Sequence, residues 1–156
     1  PSLAADTPAR NPSPVRPADA AGIAVPIPAP LHGAVEIAAR PAAGQWLAQA
    51  LLTRDGSEAV RVEVYANPRG VAPAAWLTAA WPDIARQALW QPTTVGASRF
   101  PALQATLPAT PQRHAQTLVF AQIGPRLVHV VCRLADQTAP AHCAAVLSGL
   151  GRAVTP

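Results

Sequence analysis

Strict alternation of apolar and polar residues between positions 58 and 66 predicts a β-strand with one buried side. Val60, Val62 and Val64 point to one side of an extended chain, and Arg61, Glu63 and Tyr65 point to the other. The turn-forming residues Asn67-Pro68-Arg69-Gly70 follow and end the strand. The segment therefore predicts a strand that contributes one face to a hydrophobic core.

A helix is predicted directly after this turn. Pro73 suits the first turn of a helix, because an amide at that position has no intrahelical hydrogen bond to lose. Pro82 is expected to kink the helix or to divide it in two. Apolar residues recur at steps of three to four and form one stripe that packs on a sheet: Trp76, Leu77, Ala80, Trp81, Ile84 and Ala88.

The remaining periodicity predicts an α+β fold with the order β-β-β-α-β-β-β-α, in which one antiparallel sheet of about six strands packs with two main helices. A closing helix is expected after Thr138, on the segment that extends to Arg152. The hairpin signal Asp55-Gly56 pairs the second strand with the third. Besides the valine-rich strand, the predicted strands cover residues 35–40, 46–54, 95–107, 114–123 and 126–134.

Residues 1–31 are rich in proline and alanine, which favours extended polyproline geometry over helix or sheet. We expect this segment to form a tail or linker with no strand or helix of its own. Residues 32–156 are expected to form the folded α+β domain.

The valine-rich strand, the turn at Asn67-Pro68-Arg69-Gly70 and the helix bearing Trp76 together resemble the opening of the PsbP-like superfamily. The resemblance continues through Phe100-Pro101-Ala102 and the strands around Gly124-Pro125. This superfamily includes PsbP, DcrB-type lipoproteins, Mog-type Ran-binding proteins and the Eag chaperones of type VI secretion effectors. Its members share patterns of apolar positions and turns rather than an invariant chemical residue, so the resemblance implies a fold and a binding role.

Composition narrows the classes of partner. The 156 residues are 50% hydrophobic and only 13% charged, and the formal net charge is +4. The twelve basic residues are all arginines, and no two of them are adjacent, so no basic block is present to follow a phosphate backbone. Nucleic acid is therefore not the expected partner. No segment approaches the roughly 20 apolar residues that span a bilayer.

Two cysteines give the sharpest structural expectation. Cys132 shares a strand face with Val128 and Val130, and Cys143 lies on the apolar stripe of the closing helix. If that helix folds back over the strand, the two sulfurs meet and form a disulfide, which indicates an oxidising compartment. The alternative is a pair of buried free thiols in a cytoplasmic protein.

No metal, cofactor or catalytic site is predicted. His129 with Cys132 and His142 with Cys143 supply possible metal ligands. However, alternation places His129 and Cys132 on opposite faces of their strand. Neither a nucleophile elbow nor a glycine-rich phosphate loop occurs in the sequence.

Trp76 and Trp81 are the candidate partner-binding residues. They lie five positions apart on the predicted helix, so both cannot occupy the centre of one narrow stripe. A role in the core remains the alternative, because indole rings dominate burial in small domains. Exposed indoles are enriched in protein-binding hot spots.

Two functions fit these observations. The first is a non-enzymatic accessory or scaffold subunit of a bacterial envelope complex, periplasmic or envelope-associated, which binds a larger membrane-associated assembly through its tail and domain surface. The second, implied by the resemblance to Eag proteins, is a cytoplasmic chaperone that holds apolar helices of a secreted effector.

Overall fold

The computed structural model describes residues 17–39 and 46–154, and every structural statement below concerns those residues. The chain is mostly strand, with three helices between the strands. In chain order the elements are β1 (Ala18–Ala20), β2 (Ile23–Val25), β3 (His32–Ile37), β4 (Trp46–Arg54), β5 (Ser57–Ala66), α1 (Pro73–Ala80), α2 (Pro82–Gln87), β6 (Gln91–Val95), β7 (Phe100–Leu107), β8 (Ala115–Ile123), β9 (Arg126–Leu134), α3 (Ala139–Gly149) and β10 (Gly151–Arg152).

Seven strands form one large sheet in the order β3-β4-β5-β9-β8-β7-β6, and every neighbouring pair in it is antiparallel. It consists of two meanders, β3 to β5 and β6 to β9, which are connected through α1 and α2. The meanders meet where β5 pairs with β9, so β9 is the central strand. A second sheet of three strands has the order β1-β2-β10.

The predicted α+β class is confirmed, but the prediction of a single sheet of about six strands is wrong. The predicted strand over residues 95–107 matches β7 only in part: β7 begins at Phe100, and a turn at Gly96 separates it from β6, which begins at Gln91, before the predicted segment. Pro92 lies inside β6. A proline is tolerated there because β6 is the last strand of the sheet and has a neighbour on one side only.

The β4–β5 hairpin and the divided helix follow the sequence prediction. Asp55 and Gly56 both have positive φ, 51° and 78°, as a two-residue turn of the favoured hairpin type requires. α1 begins at Pro73. Pro82 then divides the helical segment, and α2 begins at that residue. None of the helices described in 17–39 and 46–154 is long and apolar enough to cross a membrane.

One face of the large sheet is aliphatic, and we call it the aliphatic face. Its side chains come from alternate positions of the central strands, and α3 and the three-stranded sheet cover it. Its fully buried members include Val60, Val62, Val64, Val128, Val130, Val119, Ala121 and Ile123. The valine side of β5 is therefore the buried side that alternation predicted.

The expectation that residues 1–31 contain no strand is wrong for β1 and β2. Ala20, Ile23 and Val25 are fully buried on the aliphatic face, and β2 pairs with β10 near the end of the chain. Arg126 also donates a hydrogen bond of 3.0 Å from Nε to the carbonyl of Ala21. These tertiary contacts give β1 and β2 their strand structure, although the prolines of residues 1–31 predicted an irregular segment. Residues 1–16 lie outside the described residues.

Cys132 and Cys143 lie at disulfide distance, with their Cα atoms 5.8 Å apart. α3 folds back over β9, and both sulfurs lie on the aliphatic face as the sequence indicated. The closing helix is shorter than expected, because it ends at Gly149 and the chain continues into β10.

Candidate functional site

The opposite face of the large sheet is built from aromatic side chains, and we call it the aromatic face. Its buried core is Tyr65, Phe120, Leu127 and Leu77 of α1. The indole rings of Trp46, Trp76, Trp81 and Trp90 pack around that core. α1 and α2 thus cover part of this face, much as α3 covers part of the other.

An acid–base pair lies beneath these rings. Glu63, His129 and Phe120 occupy directly opposed positions on β5, β9 and β8. His129 Nδ1 lies 3.1 Å from Glu63 Oε1. On its other side the imidazole stacks on Phe120, with ring centroids 4.2 Å apart and an interplanar angle of 2°. Trp81 contacts the same imidazole, with ring centroids 5.9 Å apart.

The electrostatics of the pair fix the direction of its hydrogen bond. The hydrogen bond from His129 lowers the pKa of Glu63, and burial opposes that shift only in part. Glu63 is therefore a carboxylate at neutral pH and can only accept, so Nδ1 of His129 is the donor. Burial, together with the nearby charge of Glu63, raises the pKa of Tyr65 to about 12. The tyrosine hydroxyl beside the pair is therefore protonated at neutral pH.

A carboxylate that orients an imidazole is also the arrangement of a general base, but here the reactive nitrogen is buried. His129 is only 9% exposed. Its Nε2 is buried and has no hydrogen-bond partner among residues 17–39 and 46–154. Proton exchange with a substrate would have to pass through Nε2. The pair joins β5 to β9 beneath the stacked rings.

Trp76 and Trp81, the predicted partner-binding residues, both lie on the aromatic face. The ring centroids of Tyr65 and Trp81 are 5.4 Å apart, and those of Tyr65 and Trp76 are 6.0 Å apart. Each tryptophan remains partly exposed. A partner-binding role for these rings stays a prediction, restricted to their outer edges.

A shallow cleft of about 310 Å³ lies between the β4–β5 turn and the start of α3. His142, Ser57 and Asp136 are among its lining residues. Arg54 binds across this cleft, donating to the Thr138 hydroxyl at 2.7 Å. In the part of the chain that the structure describes, no hydrogen bond joins His142 to a serine or a carboxylate.

The metal-ligand candidates are likewise separated. Cys132 and Cys143 are paired with each other, whereas His129 faces the aromatic side of the sheet. This is the separation that strand alternation predicted for His129 and Cys132.

β3 is the one strand of the large sheet, within the described residues, whose residues are all exposed. All six residues from His32 to Ile37 are exposed, including the apolar Val35 at 37% and Ile37 at 67%. Ala38 donates its amide to Leu47 at 2.9 Å, so alternate residues of β3 direct their amides toward β4. Gly33, Val35 and Ile37 therefore direct their N–H and C=O groups outward. No strand among the described residues pairs with this edge.

The other edge of the large sheet, β6, is protected. Pro92 has no amide hydrogen to offer an incoming strand. Gly96, at the end of β6, approaches the carbonyl of Leu150 so closely that a β-carbon would clash, and its amide donates to Leu147 at 2.9 Å. The β6–β7 turn is thus held against the end of α3, whereas the contacts of β3 other than those with β4 lie on its face, where Ile27 packs above Gly33.

Two functional features escaped the sequence prediction. Alternation correctly places Glu63 and His129 on the sides of their strands that face away from the valines. Their contact also requires that β5 pairs with β9, and the two residues are 66 positions apart in the sequence. The edge position of β3 likewise depends on strand order, which alternation does not encode.

Comparisons of this chain with protein-family models, with curated proteins and with solved structures found no match.

Proposed function

We propose that this chain is a non-enzymatic accessory or scaffold subunit of a bacterial envelope complex, and that it binds its protein partner by adding a strand to the outer edge of β3. The observation that carries the proposal is the contrast between buried chemistry and exposed backbone. The imidazole nitrogen of the Glu63–His129 pair is buried, whereas three outward-directed residues of β3 lie at the surface. Main-chain hydrogen bonds to an added strand give affinity, and exposed side chains at alternate positions give specificity.

The cysteine pair supports the envelope part of the proposal. A bond between Cys132 and Cys143 persists in oxidising compartments and is rare in the cytosol. The PsbP-like resemblance agrees with this proposal through its lipoprotein and extrinsic-subunit members.

The chaperone alternative fits the surface less well. A chaperone for apolar helices needs a continuous apolar groove. The large apolar side chains that are exposed among the described residues are Val35, Ile37, Leu89 and Val154. Only Val35 and Ile37 of these lie side by side, and they lie along a strand edge, which suits an added strand.

Site-specific photo-crosslinking in cells of the native host tests the proposal. A photoactivatable phenylalanine analogue at Ile37 is expected to give one discrete crosslinked product whose second component is a protein of the envelope fraction. The same analogue at Thr94, an exposed position on the protected β6 edge, is the matched control and is expected to give no discrete product.

The proposal fails if Ile37 gives no product, or if both edges give the same set of products. It also fails if intact-mass measurement, with thiol alkylation before and after reduction, shows that Cys132 and Cys143 are reduced in the cell.

A further inference from the structure

We infer that the strand added at the edge of β3 is β3 of a second copy of this chain, in an antiparallel pair centred on Ala34. The inference rests on the proposed function, because it names the partner at the same edge. Two seven-stranded sheets would become one continuous sheet across a two-fold axis. The second copy is the other protomer of this dimer.

Hydrogen-bond geometry permits this register. With Ala34 opposite Ala34 of the other protomer, Gly33 lies opposite Val35 and Ile37 lies opposite Leu31. Gly33, Val35 and Ile37 are the residues whose amides point outward, so the opposed Gly33 and Val35 form hydrogen-bonded pairs. The amide of Leu31 already donates to Pro28, which leaves its carbonyl to accept from Ile37. The two-fold axis then gives about six backbone hydrogen bonds.

The pairing of polar side chains favours the register centred on Ala34 over registers shifted along the strand. In it, His32 of each protomer lies opposite Glu36 of the other, at positions that bring side chains closest in an antiparallel pair. By symmetry the contact occurs twice. A register centred on Glu36 opposes two carboxylates, and one centred on Val35 places Ala38 opposite His32 and Ala34 opposite Glu36, so neither polar side chain gains a polar partner. The sequence His32-Gly-Ala-Val-Glu36 is thus complementary to itself when reversed.

The sizes of the opposed side chains also favour the register centred on Ala34. Val35 of one protomer lies opposite Gly33 of the other, and Gly33 has no side chain to obstruct it. The Ile27 side chain occupies the space above Gly33, where a β-carbon would clash with it. The exposed Val35 therefore gains an apolar neighbour on pairing, on the same side of the sheet as the aliphatic face.

Cysteine crosslinking tests the register directly. The chain's two cysteines are paired with each other, so Ala34→Cys adds a single free thiol. On mild oxidation, Ala34→Cys is expected to give a covalent dimer on a non-reducing gel, because Cα atoms at such a position are about 4.5 Å apart. Val35→Cys is the matched control, because Val35 lies opposite Gly33 of the other protomer, and position 35 of the other protomer is two residues further along that strand. It is expected to crosslink at least about tenfold more slowly, because a disulfide requires Cα atoms less than roughly 7 Å apart.

Charge reversal tests the His32–Glu36 contact. Glu36→Lys and His32→Glu are each expected to raise the dimer dissociation constant by about fivefold, measured by sedimentation equilibrium, because two symmetric cross-strand pairs are lost. The double variant, with glutamate at 32 and lysine at 36, restores opposite charges and is expected to return within about twofold of the parent value. Equal weakening in the double variant would overturn the charge contact and the register with it.

The inference and the proposed function fail in different ways. If the photo-crosslink at Ile37 joins two copies of this chain, both stand. A crosslink to a different protein, with a monomeric chain in sedimentation at high concentration, keeps the proposed function and overturns self-pairing. Faster crosslinking of Val35→Cys than of Ala34→Cys overturns the register, and the absence of any crosslink at this edge overturns both proposals.

Discussion

The two faces of the large sheet are both covered by the chain itself, but with different chemistry. The aliphatic face is valine-rich and is fastened by the Cys132–Cys143 pair and by β1 and β2. The aromatic face is made of stacked rings over one acid–base pair, Glu63 and His129. The comparison of the two faces shows that a buried histidine and a carboxylate can join two neighbouring strands beneath a layer of aromatic rings. Each face is covered only in part, and Trp76 and Trp81 stay partly exposed on the aromatic face.

Removing the central ring of the aromatic face should have the largest effect. Phe120→Ala is expected to lower the free energy of unfolding by about 3–5 kcal/mol, because it leaves a cavity between His129, Trp81 and Trp90. Urea unfolding followed by tryptophan fluorescence measures it. Phe120→Leu, which keeps most of the volume but not the stacking, should lose clearly less. A Phe120→Leu variant as stable as the parent chain would show that the ring geometry contributes nothing.

On the aliphatic face, the corresponding test concerns β2. Ile23→Ala is expected to cost about 2–4 kcal/mol, because Ile23 is fully buried against α3 and the sheet. Ile37→Ala, at an exposed edge position in dilute solution, should stay within about 0.5 kcal/mol. The same reasoning leads us to expect that deleting residues 1–31 destabilises the domain. An Ile23→Ala variant as stable as Ile37→Ala would instead restore the boundary at residue 31.

Loss of the cysteine pair should have an intermediate effect that is confined to the aliphatic face. Replacing Cys132 and Cys143 together with alanine is expected to lower stability by about 2–3 kcal/mol, since the bond closes a short loop between β9 and α3. Thermal unfolding of the double variant and of the reduced parent chain should agree. A parent chain whose melting temperature does not respond to reduction would contradict the pairing.

The smallest expected effect is a pH-dependent contribution of Glu63 to the stability of the aromatic face. The pKa of Glu63 is lowered in the folded chain, so its contribution is complete above the ordinary glutamate value of about 4.3 and is lost as the pH falls through the lowered folded value. Glu63→Gln should therefore cost about 1–2 kcal/mol at pH 7, and this difference should shrink toward zero in acid. Asp55→Asn, at a turn position whose side chain is 94% exposed, serves as the control for removing one carboxylate. A Glu63→Gln difference that stays constant from pH 7 to below pH 4 would contradict the buried contact.

Local pattern was sufficient to predict much of the molecule. The side of each residue on β5 and β9 follows from alternation, and so do the position of the cysteines and the division of the helix at Pro82. These features depend on neighbours in sequence. Cys132 and Cys143 lie at disulfide distance, as the pattern predicted, because α3 follows shortly after the strand that it covers.

Features that depend on distant partners were not predictable from the pattern. β1 and β2 contain only three residues each, and their structure depends on pairing with β10 at the far end of the chain. The presence of Pro92 as the second residue of β6 depends on the edge position of that strand, which the pattern does not encode. Glu63 and His129 were each placed on the correct side, but their contact required the order of the strands.

Residue-resolved amide exchange of β3 by NMR tests the central claim most directly. In dilute solution the amides of Val35 and Ile37 should exchange rapidly, while that of Ala38, which donates to Leu47, should be protected. Raising the protein concentration should protect Val35 and Ile37 as copies pair through this edge. Strong protection of both amides at the lowest concentration would show that the edge is already covered within one chain, and would contradict its role as the binding element.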